Sequence, residues 1–215
     1  MSEPSATPAN VIIFDHPLIQ HKLAWLRDRT TGHRPFRALM AQIAGLMVFE
    51  VTRAFPTREI EVATPLEPTR GLRLAGTITV VPVLRAGLGM TEGILEVMPE
   101  ARVGHLGLAR DERTLRPVAY LNRLPRNLGD GPVILVDPML ATGGSAIAAI
   151  SMLREAGATD LRMMCVVAAP EGIRALHAAH PELTIYTAAI DRALDEHGFI
   201  RPGLGDAGDR LYGTV

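Results

Sequence analysis

The segment from Val133 to Ala146, VILVDPMLATGGSA, constrains the fold more than any other part of the chain. Four apolar residues, Val133 to Val136, run without alternation into Asp137, which is typical of a strand covered on both faces in a parallel sheet. The polar cluster Thr142–Ser145 then lies where a strand ends and a helix begins, which is the edge at which open α/β sheets bind ligands. The residues that repeat with helical spacing after it are Ala146, Ile150, Leu153 and Gly157.

The rest of the chain alternates between helical and strand patterns, which predicts an α/β fold with a mostly parallel, twisted sheet flanked by helices. At 215 residues the chain is expected to form a single domain, 1–215. Residues 1–10 are expected to be a loose terminus, 65–71 a loop and 113–125 a protruding β-hairpin. The predicted helices span 18–29, 34–52, 90–97, 144–156 and 171–179, and the predicted strands span 58–63 (an edge strand), 77–84, 102–108, 133–136, 161–169 and 183–190.

The composition argues against several classes of protein. A net charge of −1 and a pI near 6.7 do not indicate a nucleic-acid-binding face, and the sequence contains no apolar run long enough to span a bilayer. Lys22 is the only lysine among the 22 Lys and Arg residues and lacks a Gly-rich context, which excludes a P-loop NTPase. Cys165, the one cysteine, lies in an apolar run and is expected to serve packing, which suits a cytoplasmic protein.

The cluster Thr142–Ser145 has a plain structural interpretation, as a turn in which Ser or Thr caps the following helix. Its two glycines would also expose backbone N–H groups at the positive end of that helix, which favours a phosphate. Asp137 would repel a phosphate in the same loop, but it could accept hydrogen bonds from the hydroxyls of a sugar. The combination suits a ribose 5-phosphate.

Two further clusters contain candidate binding residues. Arg85 follows the predicted strand 77–84, so it is either a solvated strand end or, with Arg110, part of a site for a second anionic group. The stretch from Gly198 to Thr214, GFIRPGLGDAGDRLYGT, shows no periodic packing pattern. It is therefore either a structureless tail or a functional loop in which glycines bring bare backbone close to a ligand.

These segments resemble motifs of one enzyme family. VDPMLATGGSA is similar to the ribose-phosphate loop of type I phosphoribosyltransferases. Its Asp-Pro, where most relatives carry two successive acids, resembles the uracil phosphoribosyltransferases in particular. ITVVPVLRAGLGM, VVAAPEG and the C-terminal motif GFIRPGLGDAGDRLYGT resemble further motifs of that family, and the last of them is highly specific. The resemblance extends from about His16 to Thr214.

The resemblance implies transfer of the phosphoribosyl group of 5-phosphoribosyl 1-pyrophosphate to uracil, which gives UMP and pyrophosphate in pyrimidine salvage. It implies that Asp137, Asp206 and Arg85 are catalytic and that segment 191–215 forms a C-terminal hood over the base. The residues implied to bind the donor are Arg85, Arg110, Asp137, Pro138, Met139, Leu140, Ala141, Thr142, Gly143, Gly144, Ser145 and Asp206, and those implied to bind uracil through backbone groups are Ile200, Gly205, Asp206 and Ala207.

Two positions depart from the family pattern. Ala109 stands before Arg110 where a tyrosine is expected in the donor pocket, and Arg201 replaces an apolar residue after Ile200. The resemblance also implies Mg²⁺ as a cofactor carried mainly by the pyrophosphate, with no metal site made of protein ligands. It implies a homo-oligomer, a dimer or tetramer, and leaves a GTP effector open. The hairpin 113–125 would be either a lid or a dimer arm.

Three alternatives stay open at the level of the sequence. The first is a regulatory RNA-binding protein with residual uracil transferase activity, which would need a basic face that the net charge does not indicate. The second is a non-catalytic nucleotide sensor of the same fold, although the intact GLGDAGD loop speaks against it. The third is a phosphoribosyltransferase for another base.

Overall fold

A computed structural model describes residues 10–110 and 117–214 of the chain. Helices and strands alternate along most of it, as the apolar patterns predict. The strands are β1 (Val11–Ile13), β2 (Thr57–Ala63), β3 (Pro68–Leu74), β4 (Thr79–Leu84), β5 (Arg102–Val103), β6 (His105–Arg110), β7 (Pro117–Arg123), β8 (Val133–Val136), β9 (Met139–Leu140), β10 (Leu161–Ala168), β11 (Thr184–Ile190), β12 (Ala193–Leu194) and β13 (Ile200–Arg201).

Six α-helices accompany these strands in the described part of the chain. Among those residues, the structure contains no helix that combines the length and apolarity needed to cross a membrane. The helices are α1 (Pro17–Arg27), α2 (His33–Val51), α3 (Leu88–Val97), α4 (Gly144–Glu155), α5 (Pro170–Ala179) and α6 (Ala207–Tyr212).

The main sheet follows the order β1-β11-β10-β8-β4-β6-β7, with β5 added to β4 and β9 added to β10. Every neighbouring pair is parallel except β6 and β7. The prediction of a mostly parallel sheet with helices is therefore confirmed. Since β4 and β8 lie side by side at its centre, the loops that follow their carboxyl ends meet at one edge.

Apolar residues of each central strand divide between two cores. In β8, Ile134 and Val136 join the core that contains α1, α2, α3 and α6, whereas Val133 and Leu135 join the core that contains α4 and α5. All four side chains are fully buried. This confirms that the unbroken apolar run marks a strand covered on both faces. Cys165 is likewise buried, in the second of the two cores.

The ribbon of β2 and β3 differs from the sequence-based expectation. The two strands pair in antiparallel fashion, from Thr57 opposite Leu74 to Ala63 opposite Pro68, and form a sheet of their own. The predicted loop 65–71 is therefore wrong for residues 68–71, and β2 is not an edge strand of the main sheet. Because most residues of both strands are exposed, no buried face imposes an alternation that the sequence could display.

The predicted hairpin at 113–125 is also corrected. Residues 117–123 form the single strand β7, and its antiparallel partner is β6, so only one strand of this hairpin comes from the predicted segment. Residues 111–116 lie outside the described part of the chain. The predicted strand 102–108 is divided between β5 and β6, and both of these strands pair with β4.

A close crossing of α2 and α3 generates a prediction about stability. A Cβ on Gly93 would overlap the carbonyl oxygen of Ala41, so Gly93→Ala should force the helices apart. Overpacking of this kind costs about 1–3 kcal/mol, which outweighs the roughly 1 kcal/mol that alanine gains over glycine inside a helix. We expect a lower midpoint of urea unfolding.

The matched control is Gly32→Ser. An added Cβ there meets no described residue within 4 Å, and serine is a good residue for the N-cap position of α2 that Gly32 occupies. This variant should be as stable as the wild type or slightly more stable. Equal stability of Gly93→Ala and the wild type would contradict the close helix crossing.

Candidate active site

The loop after β8 forms a small cleft at the carboxyl edge of the sheet. A cavity of about 140 Å³ is lined by Asp137 and residues 139–146. The structure thus brings together the residues expected to hold a ribose 5-phosphate, apart from Pro138, whose side chain is buried beneath the loop. The Pro138 carbonyl oxygen accepts hydrogen bonds from the N–H groups of Val166 and Val167, each with an N···O distance of 3.0 Å. These bonds attach the loop to β10.

Two glycines shape the entry into α4. Gly143 has a φ of 85°, and a Cβ there would lie 3.0 Å from the Gly172 carbonyl oxygen. Gly143 is also the N-cap of α4, and this cap lacks a side-chain hydrogen bond. The plain structural interpretation requires Thr142 or Ser145 to cap the helix, and neither of them does. The N–H groups of the first turn are therefore available to an anion at the positive end of α4.

Asp137 is the acidic residue of this cleft. It follows β8 directly, is partly buried, and accepts a hydrogen bond from the Met139 N–H over 3.3 Å. Burial raises the pKa of the Asp137 carboxyl to about 7, and the Met139 hydrogen bond opposes part of that rise. At neutral pH the carboxyl is accordingly divided between its neutral and charged forms.

Arg85 connects the end of β4 to the C-terminal segment. Its guanidinium lies 3.4 Å from an oxygen of Asp209 and 5.8 Å from the centre of the Tyr212 ring. The Tyr212 hydroxyl donates a hydrogen bond to the Arg85 carbonyl oxygen over 3.2 Å. Because the Arg85 side chain is 56% exposed, it can still reach an anion in the cleft.

Gly87 allows the loops after β4 and β8 to lie close together. A Cβ at Gly87 would be 2.6 Å from the carbonyl oxygen of Val136 and 2.8 Å from the backbone nitrogen of Val83. Only glycine fits such an approach. Arg85 and Asp137 consequently stand at neighbouring strand ends.

Arg110 is the last residue of β6, the strand on the other side of β4. Its backbone lies at the expected edge of the sheet, and its side chain is outside the described part of the chain. Ala109 is exposed and pairs with Val118 of β7. The position at which the family pattern carries a tyrosine is therefore on the β6–β7 ribbon.

The segment expected to bind the base begins beside the loop after β8, residues 137–145, which we call the phosphate loop after its expected ligand. A Cβ on Gly198 would lie 3.6 Å from Cγ2 of Thr142 in that loop. Ile200 buries its side chain in the first core, so only its backbone is left for a ligand. Arg201 points away and pairs with Asp195 over 2.8 Å, which explains how the segment tolerates an arginine where an apolar residue is expected.

Gly205, Asp206 and Ala207 form the entry into α6. Gly205 has a φ of 78° and is exposed, whereas the Ala207 side chain is buried. Oδ1 of Asp206 accepts a hydrogen bond from the Asp209 N–H over 2.9 Å and caps α6. Gly205, Asp206 and Ala207 thus lie on one ordered turn and Ile200 lies in β13 before it, so the interpretation of 198–214 as a structureless tail is wrong.

Three side chains that the sequence patterns did not single out hold this turn in place. Arg27 and Asp191 form an ion pair that also binds the backbone of Gly203, and Arg210 donates to the Leu204 carbonyl oxygen. Their partners are up to 184 positions away in the sequence. The one available signal is that Asp191 follows directly on a predicted strand, at the carboxyl edge of the sheet.

Comparison with known proteins gives a consistent result. The profile described as uracil phosphoribosyltransferase matches residues 12–214. The chain is 54% identical over 205 residues to the uracil phosphoribosyltransferase of Geobacillus kaustophilus, covering 95% of this chain and 98% of the relative. It is 55% identical over 205 residues to that of Dictyoglomus thermophilum, covering 95% and 99%.

Solved structures agree with these relatives. The AQ2163 protein from Aquifex aeolicus superimposes with a TM-score of 0.91 at 36% identity, covering 95% of this chain and 99% of that one. A hypoxanthine-guanine phosphoribosyltransferase from Bacillus anthracis superimposes with a TM-score of 0.52 at 12% identity, covering 74% and 80%, and shows a shared fold alone.

The raised pKa of Asp137 predicts how stability depends on pH. The folded protein keeps a proton on this carboxyl up to about pH 7, whereas the unfolded chain loses it near pH 4. This contribution to stability is therefore full below about pH 4 and is lost as the pH rises to about 7. Asp137→Asn removes this pH dependence, because an amide does not titrate. Between pH 4 and 8 the free energy of unfolding of the variant should therefore rise relative to that of the wild type by about 2 kcal/mol, after a discount for partial exposure.

Urea unfolding at a series of pH values measures this difference. The free energies of unfolding of the wild type and Asp137→Asn should diverge steadily as the pH rises from 4 to 7 and then run parallel. Curves that stay parallel over the whole range would show that Asp137 is charged throughout.

Proposed function

Because the chain belongs to the uracil phosphoribosyltransferase family, we propose that the cleft between the phosphate loop and the C-terminal segment is its active site. The enzyme transfers the phosphoribosyl group of 5-phosphoribosyl 1-pyrophosphate to uracil and yields UMP and pyrophosphate, a reaction of pyrimidine salvage. One observation supports the proposed location. A Cβ on Gly198 would lie 3.6 Å from Cγ2 of Thr142, so the segment expected to bind the base begins beside the loop expected to bind the donor.

The donor would lie along the loop after β8. The N–H groups at the start of α4, with Thr142 to Ser145, would bind the 5-phosphate, and Asp137 would accept the ribose hydroxyls. Met139, Leu140 and Ala141 would line the sugar, with Pro138 beneath them. Arg85 and Arg110 would contact the pyrophosphate, where an arginine can bind two oxygens at once.

Uracil would bind to backbone groups of Ile200 and of Gly205 to Ala207. Its edge reads acceptor, donor, acceptor, which backbone N–H, C=O and N–H groups can match in order. The buried side chains of Ile200 and Ala207 support this assignment, because they leave the main chain as the part that faces the ligand.

The reaction breaks the bond from C1 of the ribose to the pyrophosphate oxygen and forms a bond from C1 to N1 of uracil. The bonding electrons leave with pyrophosphate, and the N1 proton is released. Arg85 would stabilise the charge on the leaving group. Asp206, whose Oδ1 caps α6, would face the donor as the family resemblance implies.

Mg²⁺ fits this site as an ion carried by the donor. The described residues contain no group of three His, Cys, Asp or Glu side chains that could hold a metal. Mg²⁺ prefers oxygen ligands and keeps several waters, so pyrophosphate oxygens and water would supply most of its coordination. When bound, it would neutralise negative charge on the pyrophosphate.

The family resemblance also supports proposals about assembly and regulation. On this basis we propose a homo-oligomer, either a dimer or a tetramer, and GTP as an effector. A cytoplasmic location is supported by the single buried thiol, Cys165. An RNA-binding role is the weaker candidate, since the net charge is −1.

Gly144→Val should abolish donor binding without unfolding the protein. Among the described residues, an added Cβ at Gly144 meets Pro117 Cγ at 3.6 Å and Thr142 Oγ1 at 3.8 Å, so these residues leave room for it. The branched side chain would instead occupy space that the phosphate needs beside the backbone. We expect affinity for the donor to fall by at least about tenfold in calorimetry, which is more than about 1.4 kcal/mol.

The milder Gly144→Ala provides the graded control and should lose less affinity than Gly144→Val. Both variants should keep the thermal midpoint of the wild type. Unchanged affinity in the valine variant would mean that the loop is only a turn and would overturn the donor site.

The base preference tests the function as a whole. Cytosine has an amino group in place of O4, and its N3 is an acceptor. Two of its three contacts would therefore place a donor opposite a donor or an acceptor opposite an acceptor. Unpaired buried polar groups cost about 1–3 kcal/mol each, and sites built on such pairing reject misfits by about 10⁴ or more. With Mg²⁺ and the donor present, kcat/KM for uracil should exceed that for cytosine by about this factor.

5-Fluorouracil is the positive control, because C5 lies off the hydrogen-bonding edge and the analogue should be accepted. Comparable kcat/KM values for uracil and cytosine would defeat readout by the backbone. Turnover with a purine alone would assign the enzyme to another base.

A further inference from the structure

Among the described residues, three arginine–aspartate pairs contact the C-terminal segment, and the pair of Arg27 and Asp191 is the most buried. The Arg27 and Asp191 side chains are 23% and 6% exposed, whereas Arg201, which pairs with Asp195, is 58% exposed. Arg27 binds both oxygens of Asp191, over 2.6 and 2.7 Å. A bidentate pair in this environment is a strong and directional contact.

The buried pair also binds the main chain of Gly203. The Gly203 N–H donates to Oδ2 of Asp191 over 2.8 Å, and its carbonyl oxygen accepts from Arg27 over 2.7 Å. Both polar groups of this residue are therefore occupied. The carbonyl oxygen of the next residue, Leu204, accepts a hydrogen bond from Arg210. The backbone expected to bind the ligand lies on either side of these two residues, at Ile200 and at 205–207.

Gly203 lies between the two stretches of backbone expected to read uracil. Its φ is 64°, and a Cβ there would overlap the Ile200 carbonyl oxygen, so the chain turns tightly from Ile200 back toward Gly205. A shift of Gly203 must consequently move the backbone on both sides. The position of this one residue sets the spacing between the two stretches.

The pair connects this turn to rigid parts of the fold. Arg27 is the last residue of α1, and the Asp191 N–H donates to the carbonyl oxygen of Ala168 at the end of β10 over 2.8 Å. Arg210, which stacks over the Phe36 ring at 4.3 Å, links the carbonyl oxygens of Leu26 and Leu204 over 2.8 Å each. Helix and sheet are thus both tied to the turn.

We propose that Arg27 and Asp191 are positioning residues for uracil, which hold the Ile200–Ala207 backbone at the spacing that matches the edge of the base. This inference rests on the proposed function and names residues that neither touch the donor nor react. A buried ion pair is costly to desolvate, so its value here is the fixed geometry of the turn. The pair should consequently affect the base far more than the donor.

The experiment compares Asp191→Asn and Arg27→Lys with the wild type. Asp191→Asn retains an oxygen for the Gly203 N–H but loses the charge, and Arg27→Lys retains the charge but loses the two-pronged geometry. For both variants we expect KM for uracil to rise by about tenfold or more, as for the loss of a charge-assisted hydrogen bond. KM for 5-phosphoribosyl 1-pyrophosphate should change by less than about twofold, and the preference for uracil over cytosine should fall.

Arg201→Gln is the matched control, since it breaks the exposed pair in the same segment. It should leave both KM values and the base preference unchanged. Calorimetry with UMP and with the donor gives a readout independent of turnover, and only UMP should bind more weakly to the two test variants. If Asp191→Asn does not fold, Arg27→Lys still provides the test.

Three results would overturn the inference. They are unchanged KM for uracil in Arg27→Lys, an equal loss for both substrates, and an equal effect of Arg201→Gln. Failure of the proposed function is distinguishable from these, because the wild type itself would then not convert uracil to UMP.

Discussion

The close contact between the loops after β4 and β8 is the constraint on which the site depends. A Cβ at Gly87 would lie 2.6 Å from the Val136 carbonyl oxygen, so these loops meet without intervening side chains. The contact is possible because β4 and β8 are parallel neighbours and end at the same edge. It places Arg85 and Asp137, which are 52 positions apart in the sequence, at neighbouring strand ends on one edge of the sheet.

The two halves of the cleft are held by different physical means. The phosphate loop follows a strand buried on both faces, and the Pro138 carbonyl fastens it to β10. The C-terminal segment has only the short strands β12 and β13 and the short helix α6, so side-chain contacts must order it. Arg27 and Arg210 supply these contacts at the end of α1. A helix near the N-terminus therefore helps to order the C-terminal segment.

Local patterns explain which parts of this arrangement the sequence could predict. The unbroken apolar run predicted β8 within its observed bounds, and the periodic apolar residues predicted α4 to within one residue. The β2–β3 ribbon was missed because its residues are mostly exposed and carry no burial signal. The Arg27–Asp191 pair was missed because its partners are 164 positions apart, and no local rule joins them. Motif resemblance supplied the expected site residues, and of these the structure places Asp137 and residues 139–145 around one small cleft.

The structure also resolves a conflict that the sequence raises, a carboxyl group within a phosphate loop. Burial raises the pKa of Asp137 to about 7, so near neutral pH the carboxyl carries only part of its negative charge. A phosphate bound as we propose would then meet the N–H groups of α4 with reduced repulsion from Asp137. In the proposed complex, ribose hydroxyls would donate to the carboxylate and favour its charged form. The same burial that costs stability at high pH would therefore allow one short loop to contain an acid and bind the proposed phosphate.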